Sequence, residues 1–251
     1  MKTLMIGAAA VAVSAGAASA AVTNTFFAEA LNIDISAWNS GAPLPGNPDL
    51  DNVVAARSAF LANFTTFFEE DFEDVPVGPA AGGVNLNFGS INASLTGPGE
   101  VREFPPGLNN RFATSGERYF DTQANPNDPT DSSPPFTVTF DQPIAAFGFY
   151  ATDVGDFGGQ IELILDGNAV DVINVPNFTG SNGSTDPSVL FFGFTSDVDF
   201  NEIVFTSTAE DADGFGFDDM VFGRRGQIIP LPGASMLAMA GLVGIAGIRR
   251  R

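Results

Sequence analysis

Apolar and polar residues alternate along most of the chain beyond residue 66, and this two-residue period predicts short β-strands. Residues 84–88 and 136–140 alternate strictly, as Val-Asn-Leu-Asn-Phe and Phe-Thr-Val-Thr-Phe. Ile161, Leu163 and Leu165 alternate as well, and Asp166-Gly167 then gives a turn signal. Each of these runs has the length and pattern of a half-buried strand.

Several continuous apolar runs add to the strand count. Asp141-Gln142-Pro143 predicts a turn into a run at 144–151, and further apolar runs occupy 189–194, 203–206 and 215–222. Eight or more short strands joined by turns predict an all-β domain, an antiparallel β-sandwich.

The pattern changes to a helical period before residue 66. Asn47-Pro48-Asp49 predicts a helix start, with an N-cap residue, a first-turn proline and an acidic residue near the positive end of the dipole. Apolar residues at a 3.6-residue spacing continue to Phe64, so we expect one helix packed on the side of the domain. For residues 22–46 we expect a loop with a short helix near 26–31.

The first twenty residues have the three parts of a secretory signal peptide. Lys2 supplies the positive start, residues 4–13 are apolar, and Ala18-Ser19-Ala20 supplies small residues before the break. We expect cleavage between Ala20 and Ala21, and hence export from the cytoplasm.

The last residues predict a membrane-inserted helix. Residues 228–248 carry no charge and are followed by Arg249-Arg250-Arg251. About 20 apolar residues are enough to span a bilayer as a helix. Terminal arginines favour the cytoplasmic side, which places the β-rich domain outside.

Composition narrows the chemistry. The chain contains no cysteine and no histidine, which excludes disulfides, thiol nucleophiles and most zinc or copper sites. Residues 21–226 hold all 30 acidic residues against six arginines, a net charge of −24. Such a domain repels nucleic acid and attracts hard cations, of which calcium is the leading candidate.

The C-terminal segment resembles the PEP-CTERM class of sorting signals, in the VPLPA-type variant. The resemblance rests on the motif Ile229, Pro230, Leu231, Pro232 and Gly233, the apolar segment and the terminal arginines. The motif has Ile for the first Val and Gly for the last Ala. The two prolines keep it extended and outside the following helix. The resemblance implies an exosortase-type membrane enzyme as partner and a cell-surface or extracellular-matrix location.

The body of the chain resembles the extracellular jelly-roll domain of many PEP-CTERM proteins, which is similar to galactose-binding-like and carbohydrate-binding modules. The resemblance rests on 140–144, 147–150, 152–156, 191–194 and 213–220. It implies four segments: a signal peptide (1–20), an N-terminal loop and helix (21–65), a jelly-roll β-sandwich (66–223) and a sorting and membrane segment (228–251).

Calcium ligands follow from the same resemblance. In such modules the first and last strands lie side by side with a structural calcium between them, which implies Glu70, Glu73 and Asp218 as ligands. Asp153 and Asp156, around Gly155, are candidates for a second site in a loop. Equally, all these acids are compatible with solvated strand and turn positions.

Carbohydrate, such as exopolysaccharide, is an alternative ligand. Sugar binding needs exposed aromatic rings together with amide or charged groups, and the candidates are Tyr119, Tyr150, Asn110 and Arg111. Most phenylalanines fall at alternating positions typical of a core.

Catalysis has the least support in the sequence. No nucleophile or phosphate-binding motif is present, and no particular carboxylate pair stands out, so we expect no enzyme activity. The sequence therefore favours an exported surface or matrix protein with a calcium-stabilised β-sandwich. A calcium-dependent glycan-binding module comes second and a secreted glycoside-acting enzyme third.

Overall fold

Antiparallel β-sheet makes up most of the regular structure. The computed structural model describes residues 22–33, 48–80, 83–103, 110–122, 136–154, 159–167, 172–177, 187–208 and 214–229. In these ranges the elements, in chain order, are β1 (Val22–Ala30), α1 (Pro48–Leu61), β2 (Phe68–Glu70), β3 (Gly78–Pro79), β4 (Val84–Asn87), β5 (Asn92–Thr96), β6 (Glu100–Glu103), β7 (Arg118–Asp121), β8 (Phe136–Thr152), β9 (Ile161–Leu165), β10 (Val172–Asn174), β11 (Val189–Ser207), β12 (Gly216–Gly223) and a 3-10 helix (Arg225–Gln227).

Two long strands, β8 and β11, organise the sheet. They pair antiparallel along their lengths, with Thr152 opposite Val189 at one end and Phe136 opposite Phe205 at the other. The register shifts between Thr195 and Phe200. A β-bulge of this kind bends a strand and increases its twist, so each long strand can serve two differently oriented layers.

The neighbours of β8 and β11 change at that shift, which divides the sheet into two parts. Sheet I contains β1, the first half of β11, the second half of β8 and β12, and continues through β7 and β6 to β3, with β2 also on β12. Sheet II contains β4, β5, the first half of β8, the second half of β11, β9 and β10.

The main hydrophobic core lies between the two sheets. Phe136 of sheet II packs on Phe217 of sheet I with ring centroids 5.4 Å apart, and Phe205 packs on Phe149 at 5.3 Å. Rings from opposite halves of the long strands meet because the sheet folds over on itself. The domain is therefore an antiparallel all-β structure of the sandwich type, as the alternation predicts.

Helix α1 covers the outer face of sheet I. Phe60 is fully buried there and packs on Phe191 of β11. Beneath the Phe60 ring, Gly148 and Gly193 lie opposite each other, and a Cβ at either position would come within 3.0 Å of that ring. The paired glycines therefore form the recess that admits the helix.

The helix begins at Pro48, as the sequence predicts, and ends at Leu61 rather than at Phe64. Its end is fixed by Asn63, whose side-chain amide donates to the carbonyl oxygens of Ala59 at 2.7 Å and Phe60 at 3.2 Å. These bonds satisfy carbonyls that further helical turns would otherwise use.

The loop and short helix expected within residues 22–46 are wrong for residues 22–30, which form β1. This strand pairs antiparallel with β11, Val22 opposite Ser196 and Ala30 opposite Val189. Alternation is absent from the second half of the strand because both faces are covered there: Phe26 packs against Phe60 of α1, whereas Phe27 packs against the main core.

The turn expected at Asp141-Gln142-Pro143 is also wrong, because these residues lie within β8. They occupy the bend at which β8 passes from one sheet to the other, and Pro143 is exposed. Asp141 accepts a hydrogen bond from the backbone N–H of Asn92 at 2.9 Å. The turn-forming residues therefore mark a bend in a continuous strand.

Some predicted segments lie outside the described residues: the signal peptide (1–20) with its Ala20–Ala21 break, Asp156, and residues 230–251. Within the described ranges no helix has both the length and the apolar character needed to cross a bilayer.

Candidate functional site

A bulge in β12 places two adjacent carboxylates near each other. The strand pairs with β7 through Gly216 and Phe217, and with β2 from Met220 onward. Between these pairings the register with β8 shifts, and Asp219 adopts the left-handed conformation with φ 46°. Aspartate tolerates this region better than most residues, and bulges commonly redirect a side chain.

Asp218 is fully buried and surrounded by donors. One of its oxygens, Oδ2, accepts the backbone N–H of Thr114 at 2.6 Å and the hydroxyl of Thr114 at 2.9 Å. The other oxygen, Oδ1, accepts the backbone N–H of Asp219 at 2.8 Å. Burial, followed by the charge of Asp219, raises the pKa of Asp218 well above its ordinary value despite these donors.

Asp219 shares the Thr114 hydroxyl with Asp218. Its carboxylate lies 2.7 Å from that hydroxyl and 2.7 Å from the hydroxyl of Ser115. A threonine hydroxyl has one proton to donate, so it cannot donate to two ionised carboxylates at once. Burial raises the pKa of Asp219 as well. Both contacts are hydrogen bonds only when one of the two carboxyl groups is protonated and donates to the Thr114 hydroxyl.

A cavity of about 330 Å³ lies beside Asp219, and we call it the acidic cavity. Its size is at the lower end of the range for small-molecule sites. Helix α1, strands β2, β8 and β12, the residue after β2 and the segment before β7 contribute to the lining. The lining residues are Val54, Arg57, Glu69, Asp71, Thr114, Ser115, Tyr150 and Asp219.

Arg57 and Tyr150 form the wall of the acidic cavity nearest to α1. The Arg57 guanidinium pairs with Glu69 and lies over the Tyr150 ring at 5.8 Å from its centroid. Phe191 packs edge-on against the same ring at 5.3 Å. Tyr150 is only 3 % exposed, and burial raises its pKa. The phenol is therefore protonated at neutral pH and able to donate.

The three calcium-ligand candidates each contact a different segment of backbone. Glu70 accepts the N–H of Phe72 at 2.8 Å, and Glu73 accepts the N–H groups of Glu117 and Arg118, each at 2.6 Å. Strand β2 does lie beside the last strand, with Glu70 opposite Met220. In the part of the chain that the structure describes, no three acidic side chains are grouped as a metal site.

Arg111 and Asp153, predicted for different sites, form a buried ion pair with each other. Arg111 Nε lies 2.9 Å from an Asp153 oxygen, and Arg111 also pairs with Asp121 at 3.0 Å. The Arg111 side chain is only 3 % exposed. The two ion pairs connect Arg111 to Asp121 of β7 and to Asp153 inside the protein, and this arrangement has a structural role.

The remaining sugar-binding candidates are dispersed. Tyr119 is 1 % exposed, so its ring offers no stacking surface, and it lies near the charges of Asp121, Arg102 and Arg111. Asn110 is half-buried with φ 57°. Only Tyr150 reaches the acidic cavity.

Sequence reasoning did not identify Arg57, Asp71 or Asp219 as members of one site. One signal was present for Asp219: two consecutive acids interrupt an apolar strand at 218–219, which is incompatible with regular alternation and favours a bulge. Arg57 gives no comparable signal, because a charged residue on an exposed helix face is ordinary.

The chain matches no protein-family model and no curated protein sequence.

Proposed function

We propose that this chain is an exported cell-surface or extracellular-matrix protein, sorted through its C-terminal motif by an exosortase-type membrane enzyme. The acidic domain, which resembles a jelly-roll module in sequence, would then face the outside. The tripartite leader and the tripartite tail support this proposal at opposite ends of the sequence.

The placement of Ile229 is the structural observation that carries the proposal. This first residue of the motif is 44 % exposed, and its backbone N–H donates to the carbonyl of Asn63 at 2.7 Å. Ile228 forms a β-bridge with Phe64. The domain is thus fastened up to Ile229, the residue at which the motif begins, and this first motif residue is open to solvent.

The start of β1 lies at the same edge of the domain. Thr23 and Asn24 line a groove of about 340 Å³ together with Ile228 and Ile229. Chain segments on either side of the described domain therefore leave it close together. This arrangement suits a domain attached to one membrane through both segments during export.

Cell fractionation of the full-length protein tests the proposal. We expect a Pro230→Ala, Pro232→Ala variant to accumulate in the inner membrane with its tail uncleaved, because the motif is no longer held extended. A Pro76→Ala, Pro79→Ala variant changes two exposed prolines within the domain and serves as the matched control. Equal surface delivery of both variants would refute sorting through this motif.

Calcium stabilisation remains a prediction attached to this function. If the acidic residues bind calcium, the melting temperature of the purified protein should rise with millimolar calcium and fall with chelator. An unchanged melting temperature in both buffers would remove calcium from the proposal and leave the sorting pathway unaffected.

A glycan-binding role is the second candidate, and the acidic cavity is the observation that favours it. Its lining combines carboxylates, hydroxyls and a guanidinium, the groups that hydrogen-bond sugar hydroxyls. Retention of the protein on immobilised polysaccharide, compared with an uncoated matrix, tests this role directly.

A further inference from the structure

The Thr114 hydroxyl lies between two buried carboxyl groups that follow each other in β12. Its Oγ1 atom is 2.9 Å from Asp218 Oδ2 and 2.7 Å from Asp219 Oδ2. Because a hydroxyl has one proton, it donates to one carboxyl group and accepts a proton from the other when both contacts are hydrogen bonds. The three groups therefore form a continuous chain of hydrogen bonds.

Asp218 is the member of the pair that more strongly favours its protonated form. It is fully buried, and burial, followed by the charge of Asp219, raises its pKa well above the ordinary value. Burial raises the pKa of Asp219 as well, but hydrogen bonds from Ser115 and Thr114 and the charge of Arg57 act in the opposite direction. The direction that follows is from Asp218 to the Thr114 oxygen, and from the Thr114 hydroxyl to Asp219.

A neutral carboxylic acid, a hydroxyl and a base in contact with that hydroxyl are the groups that ester formation needs. An ionised carboxylate resists attack by an oxygen nucleophile, whereas the neutral Asp218 carboxyl has an electrophilic carbon. Asp219 is placed to take the proton of the Thr114 hydroxyl and so activate its oxygen. The backbone N–H of Asp219 lies 2.8 Å from Asp218 Oδ1, the oxygen on which negative charge would develop during the attack.

We propose that Thr114 and Asp218 condense to an intramolecular ester, which links the segment before β7 to β12. The Thr114 oxygen forms a bond to the carboxyl carbon of Asp218, and its proton moves to Asp219. The bond between that carbon and Oδ2 then breaks. Oδ2 leaves as water, with its own proton and the proton that Asp219 returns. The step consumes no other reactant, and Asp219 ends in its starting state.

Two features of the fold favour the ester over its hydrolysis. Well-oriented groups within one molecule react with effective molarities of about 10⁵–10⁸ M, far above the concentration of water. Thr114 is 2 % exposed and Asp218 is 0 % exposed, so the bond would be shielded from water. The two residues are 104 positions apart. The ester would therefore close a long loop, as a disulfide does in proteins that contain cysteine, which this chain lacks.

Peptide mapping of the purified full-length protein after denaturation tests for the bond. Cleavage after Arg111 and Arg118 releases residues 112–118, which include Thr114, as a separate peptide. We expect this peptide to be missing from the wild-type digest. It should appear instead joined to the peptide that contains Asp218, in a product lighter than the two together by one water molecule. Hydroxylamine, which cleaves esters, should release it.

Full recovery of free 112–118 from the wild-type digest would overturn the proposal. A cyclic imide at Asp218 would also remove one water molecule, but it would leave 112–118 free and so would count against the ester.

Substitutions at threonine identify the nucleophile. Thr114→Val removes the hydroxyl and should return 112–118 in full, whereas Thr114→Ser keeps a hydroxyl and should keep the link. Thr122→Val removes a similarly buried hydroxyl outside the pair and is the matched control, which should stay linked. A link that persists in Thr114→Val, or one that is lost in Thr122→Val, would contradict the assignment. The fractionation experiment is independent of these results, so failure here leaves the sorting proposal intact.

Discussion

Asp218 and Asp219 combine features that usually exclude each other: two adjacent carboxyl groups, both buried, and both in contact with one threonine hydroxyl. Burial of two full charges at this spacing would be costly, and protonation of one of the two carboxyl groups lowers that cost. The bulge makes the arrangement possible because it turns both side chains toward Thr114.

The raised pKa of Asp219 predicts a pH-dependent stability. Its protonated form is favoured in the folded state, so its contribution is complete below about pH 4 and is lost as pH rises through the folded-state pKa. Asp219→Asn stays neutral and suits the positive φ. We expect this variant to melt higher than wild type at pH 8 and no higher at pH 4.

Asp141 provides a control for those thermal melts, because its pKa is shifted in the opposite direction. Hydrogen bonding from the Asn92 backbone lowers the pKa of this exposed carboxyl, so its contribution is present at neutral pH and is lost as pH falls. Asp141→Asn should therefore lower the melting temperature at pH 8 and have no effect at low pH. Parallel pH profiles for wild type and Asp219→Asn would contradict the account of Asp219.

Gly193 is a position at which a single added carbon, the Cβ, would disturb the packing of α1 on sheet I. An added Cβ would lie 3.0 Å from the Phe60 ring, and the recess has no room for it. Gly193→Ala should lower the free energy of unfolding by about 1–3 kcal/mol, as overpacking does. Gly226→Ala, with nothing within 4 Å of the new Cβ, is the control and should be near neutral. Urea denaturation of both variants measures the difference.

At the scale of elements, helix α1 is attached to sheet I through its aromatic side chains. Phe60 contacts Phe26, Phe64 and Phe191, which belong to three different segments. The helix has no basic residue in its last turn that would interact favourably with the negative end of its dipole. Packing on the sheet is therefore its main source of stability.

Truncating Phe60 should detach this layer. We expect Phe60→Ala to lower the free energy of unfolding by about 3–5 kcal/mol, the cost of a large buried aromatic. Phe67→Ala, at a position 39 % exposed, is the matched control and should cost less than about 1 kcal/mol. Denaturant unfolding followed by far-UV circular dichroism gives both free energies. Similar losses for the two variants would mean that the helix is not held by Phe60.

The strands that alternate were predictable from sequence, and the elements that were missed share a physical cause. Residues 84–88 and 161–165 face the core on one side, so period two is visible. The second half of β1 is covered on both sides, and β8 continues through a proline, a residue that usually ends a strand. The cavity was less predictable, because Arg57, Asp71 and Asp219 meet only through the pairing of distant segments.

For the whole molecule, the dominant property is charge. The formal net charge of −20 makes the surface repel itself, and added salt screens that repulsion within about 8 Å at 0.15 M. We expect the melting temperature at pH 8 to rise steadily between 0.05 and 0.5 M sodium chloride. The same titration at pH 4, where fewer carboxyl groups are ionised, should give a smaller rise. Equal slopes at both pH values would show that self-repulsion does not limit stability.

Thr23 and Ile229 line the same groove, so the first and last described segments of the domain lie close together. A chain that enters and leaves a fold at neighbouring points can be inserted into a loop of another protein without stretching its host. It can equally be rejoined across that gap and opened at an exposed turn, such as the one at Gly89 between β4 and β5. The domain therefore has the connectivity that suits both domain insertion and circular permutation.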